Sequence, residues 1–502
     1  MQKSINDRFH TLRLVKRDKM KNLLLILVIG LLLGSCARNP ITGKKELAIS
    51  EKRELQLGAA YDPQIVASMG EYKDPQLEAL ITKLGMEMAK DSHRPNLDWK
   101  FTIIDSDVVN AFAVPGGYVY FTRGILAHFN NEAEFAGVLG HEIGHVTARH
   151  TAKSMRRQQL AQVGMIAGML ASSEIRNNME AISQGMQLLF LKYGRDAEEE
   201  SDALGVEYSS EQGYDAHYMA GFFKTIDRLQ KQAGVDIPDF QSTHPNPLNR
   251  EARVKQMAGE WQAKLPGEQN IVNRDSYLAL IDGIVYGKDP KQGYEENGVF
   301  YHPVLKFKFD VPKGWNLANS PQQVQIAAPE NQGAVIFSLA EGTDAAAAAQ
   351  KWVQANELTA SQQGATTVNG MRAYQVSGSQ GGQAQQGQQA QPEILWQATF
   401  IAYDNKVYNF TEVAQAAAVN AIGRTLEIPY RSFNRLTDAS YLNREAERIK
   451  IHQVSSTSTL QAVLKQAGMP SSRHQELAIL NGLELNAQVK AGAKVKIISN
   501  LN

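Results

Sequence analysis

The most constraining stretch of the chain is His141-Glu142-Ile143-Gly144-His145. It lies within residues 131–150, NEAEFAGVLGHEIGHVTARH, which read as one helix. Asn131 with Glu134 three residues on has the form of a capping box with Asn in the usual Ser or Thr place, and Phe135, Val138, Leu139 and Val146 supply an apolar face. Residues four apart on a helix point the same way, so the two imidazoles converge. A single zinc ion needs that spacing from two histidines, and Glu142 is left free to take a proton from the water that zinc activates. Gly144 has no side chain and allows another backbone to approach the helix at that turn.

The chain has one cysteine in 502 residues, which excludes an internal disulfide and a Cys-based zinc cluster. Its surroundings are informative. Met20-Lys21-Asn22 leads into an apolar run over 23–33 and then Gly34-Ser35-Cys36, the order of a secretory signal peptide, and the run is short for a membrane span. Residues 33–36, LGSC, resemble a bacterial lipobox, which implies that Cys36 is lipidated and opens the mature chain. Residues 1–19 are long and carry both signs of charge, so translation from Met20 fits better. Residue 37 is Ala rather than Asp, which by resemblance to enterobacterial sorting implies an outer-membrane lipoprotein facing the periplasm. The lipid is then the membrane contact, because no other run approaches 18 apolar residues. Lys+Arg and Asp+Glu both total 52, so nothing in the charge balance argues for a nucleic-acid partner.

The reading along the chain is multidomain: a mostly α-helical zincin-type protease domain with a small β-sheet, then an α+β domain, then a small LysM-like module. Residues 1–36 read as the signal and 37–50 as a polar tether. Residues 51–270 form the first domain. There, helical spacing at 51–61 and 75–90 precedes a strand at 99–105 and a hairpin over 110–121 about Pro115-Gly116-Gly117. Helical stretches follow the active helix from 151, across 179–191, from a cap at Asp215, and over 248–263, with an apolar, Met-rich run at 163–171. Residues 271–299 read as a linker. Residues 300–440 alternate as strands, with helical stretches at 344–354 and 412–422, and are loosely like a Mog/PsbP-type sandwich. Residues 377–392, SGSQGGQAQQGQQAQP, read as a disordered loop. Residues 445–502 read as helix, helix, strand and resemble a LysM-type module, which implies a glycan or protein partner there.

A catalytic zinc takes three protein ligands and keeps one open position. Gluzincins take the third from a Glu on a later helix, and residues 193–205, YGRDAEEESDALG, offer one. Glu198 and Asp202 stand four apart and share a helix face. Glu198 would bind the metal, and Asp202 would accept the outward N–H of a ligand imidazole. Four stretches in succession then resemble one metallopeptidase group: NAFAVPGGYVYFTRGIL, the helix above, YGRDAEEESDALG and STHPNPLNR. The chain resembles the gluzincin family of the CAAX-prenyl-protease, HtpX and BepA type, in its secreted bacterial lipoprotein branch, over roughly residues 45–265.

The resemblance implies one Zn2+ per chain, bound by His141, His145 and Glu198, with Asp202 as partner and Glu142 as general base. Gly194 stands where relatives often carry Ser. The resemblance also implies that Asn110, Ala111, Phe112 and Ala113 form an edge strand that holds an extended peptide, which favours unfolded or flexible polypeptide substrates. His244 has three open roles: donor to the oxyanion, occupant of the fourth zinc position, or ordinary loop residue. Arg250 either binds substrate or braces its loop. The expected function is a zinc endopeptidase acting on unfolded or misassembled envelope proteins. The alternative is an envelope chaperone or assembly factor with suppressed proteolysis.

Overall fold

A computed structural model describes residues 36–158, 193–233, 244, 249–265, 267, 270–381 and 393–501. The signal segment, the Met-rich run at 163–171, the helical stretch at 179–191 and most of 377–392 and of STHPNP lie outside the described residues. No described helix is long and apolar enough to cross a membrane.

The expected tether at 37–50 is folded in this structure. β1 (Cys36–Arg38) and β2 (Lys45–Leu47) pair as an antiparallel hairpin. Asn39 closes the turn by accepting from the amides of Ile41 and Thr42. The hairpin is docked because Ala48 and Ile49 bury themselves against Ala152 and Met155.

Ser50 then caps α1 (Glu51–Met69), and Asp74 caps α2 (Pro75–Asp91), which has Pro at its first turn, where a missing N–H costs nothing. Next come β3 (Lys100–Ile104), β4 (Ala111–Val114) and β5 (Tyr118–Thr122), in the order β3-β5-β4. β3 runs parallel to β5, and β4 antiparallel. β4 is therefore an edge strand. Gly116 and Gly117, with φ of 92° and 101°, make its turn, a conformation that disfavours any side chain.

Short α3 (Arg123–His128) leads to α4 (Glu132–Thr147), which carries the two histidines. Asn131 accepts from the Glu134 amide at 2.8 Å, while Glu134 reaches back to the Asn130 amide, one residue beyond the expected box. Every residue of α4 is buried, so it is the central helix of the domain rather than an amphipathic one with a wet face. It ends at Thr147 instead of running on to 150, because Arg149 takes a left-handed φ of 58° and turns the chain before helix resumes at His150. α5 (Arg195–Glu211) and α6 (His217–Ala233) pack against it, and α7 (Arg250–Lys264) packs on α5 and α6.

Residues 271–299, read as a linker, are largely structural. α8 (Arg274–Leu280) and the turn after it insert Tyr277, Leu278, Ile281 and Ile284 into the protease core.

The sheet domain has a four-stranded sheet, of which β6 (Tyr294–Glu296), β7 (Val299–His302) and β8 (Phe307–Asp310) are the main members. A seven-stranded antiparallel sheet comprises β9 (Asn316–Asn319), β10 (Gln323–Ala327), β11 (Gly333–Ala340), β12 (Gln362–Val368), β13 (Met371–Gln380), β14 (Ile394–Tyr403) and β15 (Lys406–Gln415). Two expectations fail here. Residues 377–380, assigned to the loop, finish β13, and the helix expected over 412–422 is strand to Gln415 before α9 (Val419–Leu426) begins.

The carboxy-terminal module gains a strand the sequence reading lacked. β16 (Arg448–Gln453) pairs antiparallel with β17 (Lys494–Ser499), and α10 (Leu460–Gln466) and α11 (His474–Leu480) lie between them in the chain. Its Leu460, Leu477, Val495 and Ile498 belong to the same apolar core as Phe129 and Tyr277 of the protease region. Lys496, fully buried, donates from Nζ to the carbonyls of Ala127 at 2.8 Å and Phe129 at 3.0 Å.

Candidate metal centre

α4 and α5 can carry one site between them because they meet almost backbone to backbone. A Cβ on Gly140 would lie 3.0 Å from the Gly205 carbonyl oxygen, and one on Gly205 would lie 2.9 Å from the Gly137 oxygen. A Cβ on Gly144 would meet Leu204 Cβ at 3.0 Å. This contact brings the carboxylates of α5 to the imidazoles of α4.

His141 Nε2 lies 3.0 Å from His145 Nε2 and 3.5 Å from Glu198 Oε2. His145 Nε2 is 3.4 Å from Glu198 Oε1. His244 Nδ1 joins them, 3.2 Å from Glu198 Oε1 and 3.3 Å from His141 Nε2. One ligand atom from each of these four residues lies within 4.8 Å of the others, and all four are buried, as is Glu142.

This donor set fits zinc. Nitrogen and oxygen lone pairs converge on one point, and both Glu142 oxygens are buried without a hydrogen bond among the described residues. Burying acceptors that way is costly unless a cation compensates.

The surroundings orient the imidazoles. His141 Nδ1 stands 3.0 Å from Asp202 Oδ1. Arg250 grips Asp202 with Nε at 2.9 Å from Oδ2 and Nη2 at 2.6 Å from Oδ1, and its guanidinium lies 3.6 Å over the Phe223 ring. Arg250 is buried behind the ligands, paired with Asp202 and with Nη2 also 3.5 Å from Glu198 Oε2.

Three residues near the site were not singled out from the sequence. Tyr193 stacks on His145 with ring centres 4.1 Å apart. His150 Nδ1 lies 2.9 Å from His145 Nδ1, and its Nε2 lies 2.9 Å from Glu200 Oε2. A continuous helix would place His150 about 140° round from His145, so only the turn at Arg149 brings it back. Phe223, beneath Arg250, lay unmarked in a helix.

The expected peptide-binding strand borders the centre. The Asn110 carbonyl accepts from the Thr122 amide, so in alternation the carbonyls of Ala111 and Ala113 face the open edge of β4. His244 Nε2 lies 3.3 Å from the Ala111 oxygen and 3.5 Å from Glu142 Oε1. The Tyr193 hydroxyl is 3.5 Å from the Ala113 oxygen. The Phe112 side chain turns away, stacked on Tyr120 over α1.

Burial pushes the Glu142 carboxyl up, making it a stronger base. Burial would do the same to Glu198, but the charges of His244 and hydrogen bonds from His141 and His145 hold it well below the carboxylate range. Burial drives His145 well down, towards the neutral ligand form.

Two histidines and a glutamate on packed helices, with a buried Glu beside the first histidine, form a cluster that could hold a metal ion and suits a zinc metallopeptidase. Residues 75–258 match the model described as Peptidase family M48, and that part of the chain is similar to this family. It is 30% identical over 241 residues to the beta-barrel assembly-enhancing protease of Escherichia coli, covering 46% of this chain and 48% of that protein. It is also 30% identical over 207 residues to the mitochondrial metalloendopeptidase OMA1 of Arabidopsis thaliana, covering 41% and 38%. The chain thus spans about half the length, or less, of these curated relatives. Among solved structures, the PsbP protein of Synechocystis aligns at a TM-score of 0.21 and 13% identity, over 29% of this chain and 91% of that one.

Proposed function

We propose that this chain is a zinc endopeptidase of the bacterial envelope, a lipoprotein of the outer membrane that cleaves unfolded or misassembled envelope proteins in the periplasm. The convergence of His141, His145 and Glu198 beside the buried Glu142 carries this reading. The lipid anchor at Cys36 and a glycan or protein partner at the carboxy-terminal module belong to the same proposal and rest on the sequence.

His141, His145 and Glu198 hold the ion, Asp202 positions His141, and Arg250 positions Asp202. Zinc, when bound, polarises the scissile carbonyl and acidifies water. Glu142 takes the proton of the attacking water and delivers it to the leaving amine, a task its raised pKa suits. β4 offers the carbonyls of Ala111 and Ala113 to the amides of an extended peptide.

A second reading has one observation in its favour. His244 turns Nδ1 to Glu198 and His141, where a fourth ligand belongs, and Nε2 to the Ala111 carbonyl. So placed, it holds the enzyme latent. The chain would then serve as a chaperone or assembly factor with suppressed cleavage.

The deciding experiment compares degradation of casein by the full-length, zinc-loaded chain with that by Glu142→Gln. Cleavage by the parent alone, with zinc held by both, supports the peptidase. Equal cleavage by both would overturn the role of Glu142. No cleavage by either, with zinc held, would favour the latent reading.

A further inference from the structure

We infer that His150 is a positioning residue for the metal centre, and that it holds His145 through a hydrogen-bond relay running His145–His150–Glu200. The inference rests on the metallopeptidase reading of the site.

The atoms permit one proton arrangement. His145 turns Nε2 to the ligand cluster, so a metal there leaves Nδ1 as the nitrogen that carries hydrogen. His145 Nδ1–H points at His150 Nδ1, 2.9 Å away, which must therefore accept. A neutral imidazole that accepts at Nδ1 carries its proton on Nε2. His150 Nε2 lies 2.9 Å from Glu200 Oε2, a carboxylate that can only accept when ionised. Glu200 thus fixes the tautomer of His150, which in turn fixes that of His145. The opposite tautomer would set two N–H groups against each other at 2.9 Å.

The relay is built into the fold. His150 is buried, and Ser201 Oγ lies 3.3 Å from its Nδ1. Lys153 lies 3.8 Å from Glu200 Oε2 and 2.6 Å from Glu46 Oε2 of the amino-terminal hairpin, so the outer end of the relay is tied down. The two ligand histidines are then matched: His141 faces Asp202 directly, and His145 faces Glu200 through one imidazole. Outer partners of this kind orient a ligand and raise its basicity, and their loss costs about 10- to 100-fold in metal affinity.

The test is zinc affinity of the full-length chain in detergent, read by competition with a chromogenic chelator, with the Co2+ absorption spectrum as a second readout. His150→Phe fills the space without an acceptor and should weaken zinc by about 10- to 100-fold. His150→Asn, whose Oδ1 takes the place of Nδ1, should stay close to the parent. Glu200→Leu, at the partly exposed end of the relay, should weaken zinc in the same direction and alter the Co2+ spectrum, and it serves where the Phe variant fails to fold.

Parent-like affinity in His150→Phe and Glu200→Leu would overturn the relay. So would equal weakening in the Phe and Asn variants, since packing alone would then explain it. A parent that holds no zinc, or that holds it as well after His141→Ala, would instead sink the metal-centre reading itself.

Discussion

Gly205→Ala is the sharpest probe of how the site is assembled. The new methyl would sit 2.9 Å from the Gly137 carbonyl oxygen, 3.0 Å from the His141 amide nitrogen and 3.1 Å from Met219 Cε. Comfortable contacts lie at about 3.5 Å or more, and the first two neighbours are backbone, which cannot swing aside. α4 and α5 must therefore part by a few tenths of an ångström at the level of His141. Overpacking of this kind costs about 1–3 kcal/mol, and the better helix propensity of Ala returns about 1 kcal/mol. The net expectation is a loss on the order of 1 kcal/mol.

The larger effect falls on the site, because the same parting lengthens the 3.0 Å His141–Asp202 contact and withdraws Glu198. A misplacement of about 1 Å can cost 10²-fold in rate, so a few tenths should cost on the order of tenfold in casein cleavage, with weaker zinc binding. Gly221→Ala is the control: it lies in α6 with nothing within 4 Å of its added Cβ, and should gain about 0.5–1 kcal/mol. Urea unfolding and chelator competition on both variants decide it. If Gly205→Ala matches Gly221→Ala in stability and keeps parental zinc affinity, the argument from helix contact is wrong.

Other outcomes follow from the same structure. Glu198→Gln should lose zinc by metal analysis while leaving the fold intact by circular dichroism. His244→Ala should raise casein cleavage in the latent reading, and lower it by about 10²-fold if His244 serves the oxyanion. Lys496→Met strands the carbonyls of Ala127 and Phe129 in the core and should destabilise the chain by about 1–3 kcal/mol; unchanged urea unfolding would refute it.

Burial, with Glu427 adding like charge against the pull of Arg431, pushes the Glu412 carboxyl from 4.5 up to about 8. The folded state therefore holds a proton that the unfolded state releases, and stability of the sheet domain should fall by a few kcal/mol as pH rises from about 4.5 to 8. Glu412→Gln should flatten that slope in urea unfolding at pH 5 and 8.5.

The sequence carried the parts of the site that follow from helix periodicity. Residues four apart share a face, so His141 and His145 were legible together, and likewise Glu198 and Asp202. Gly144 announced a close approach. His150 did not, because its position depends on one left-handed residue, Arg149, that nothing in VTARH marks. Lys496 was illegible for a different reason: a lysine reads as solvated unless its partners are known, and here they are two backbone carbonyls far away in the chain. β12 hid because its mostly exposed, polar residues lack the alternation that marks a half-buried strand. Residues 271–299 looked like a linker since their few apolar residues make sense only against a core contributed by α3, α4 and the carboxy-terminal module.

The placement of His244 constrains how a latent enzyme would open. One imidazole meets both requirements for blocking: Nδ1 stands among the metal ligands and Nε2 at the Ala111 carbonyl, which an incoming peptide amide would need. Releasing either nitrogen by ring rotation alone leaves the ring between Glu142 and β4, since Nε2 also lies 3.5 Å from Glu142 Oε1. The whole residue must therefore withdraw, and when it does the fourth position, the general base and the first edge acceptor are freed together. Peptide binding and metal access would then be one equilibrium, so an extended peptide with no scissile bond should compete with His244 and change the Co2+ spectrum of the parent. The spectrum of His244→Ala should not respond in that way. A parent spectrum unmoved by saturating peptide would separate the two events and refute the coupling.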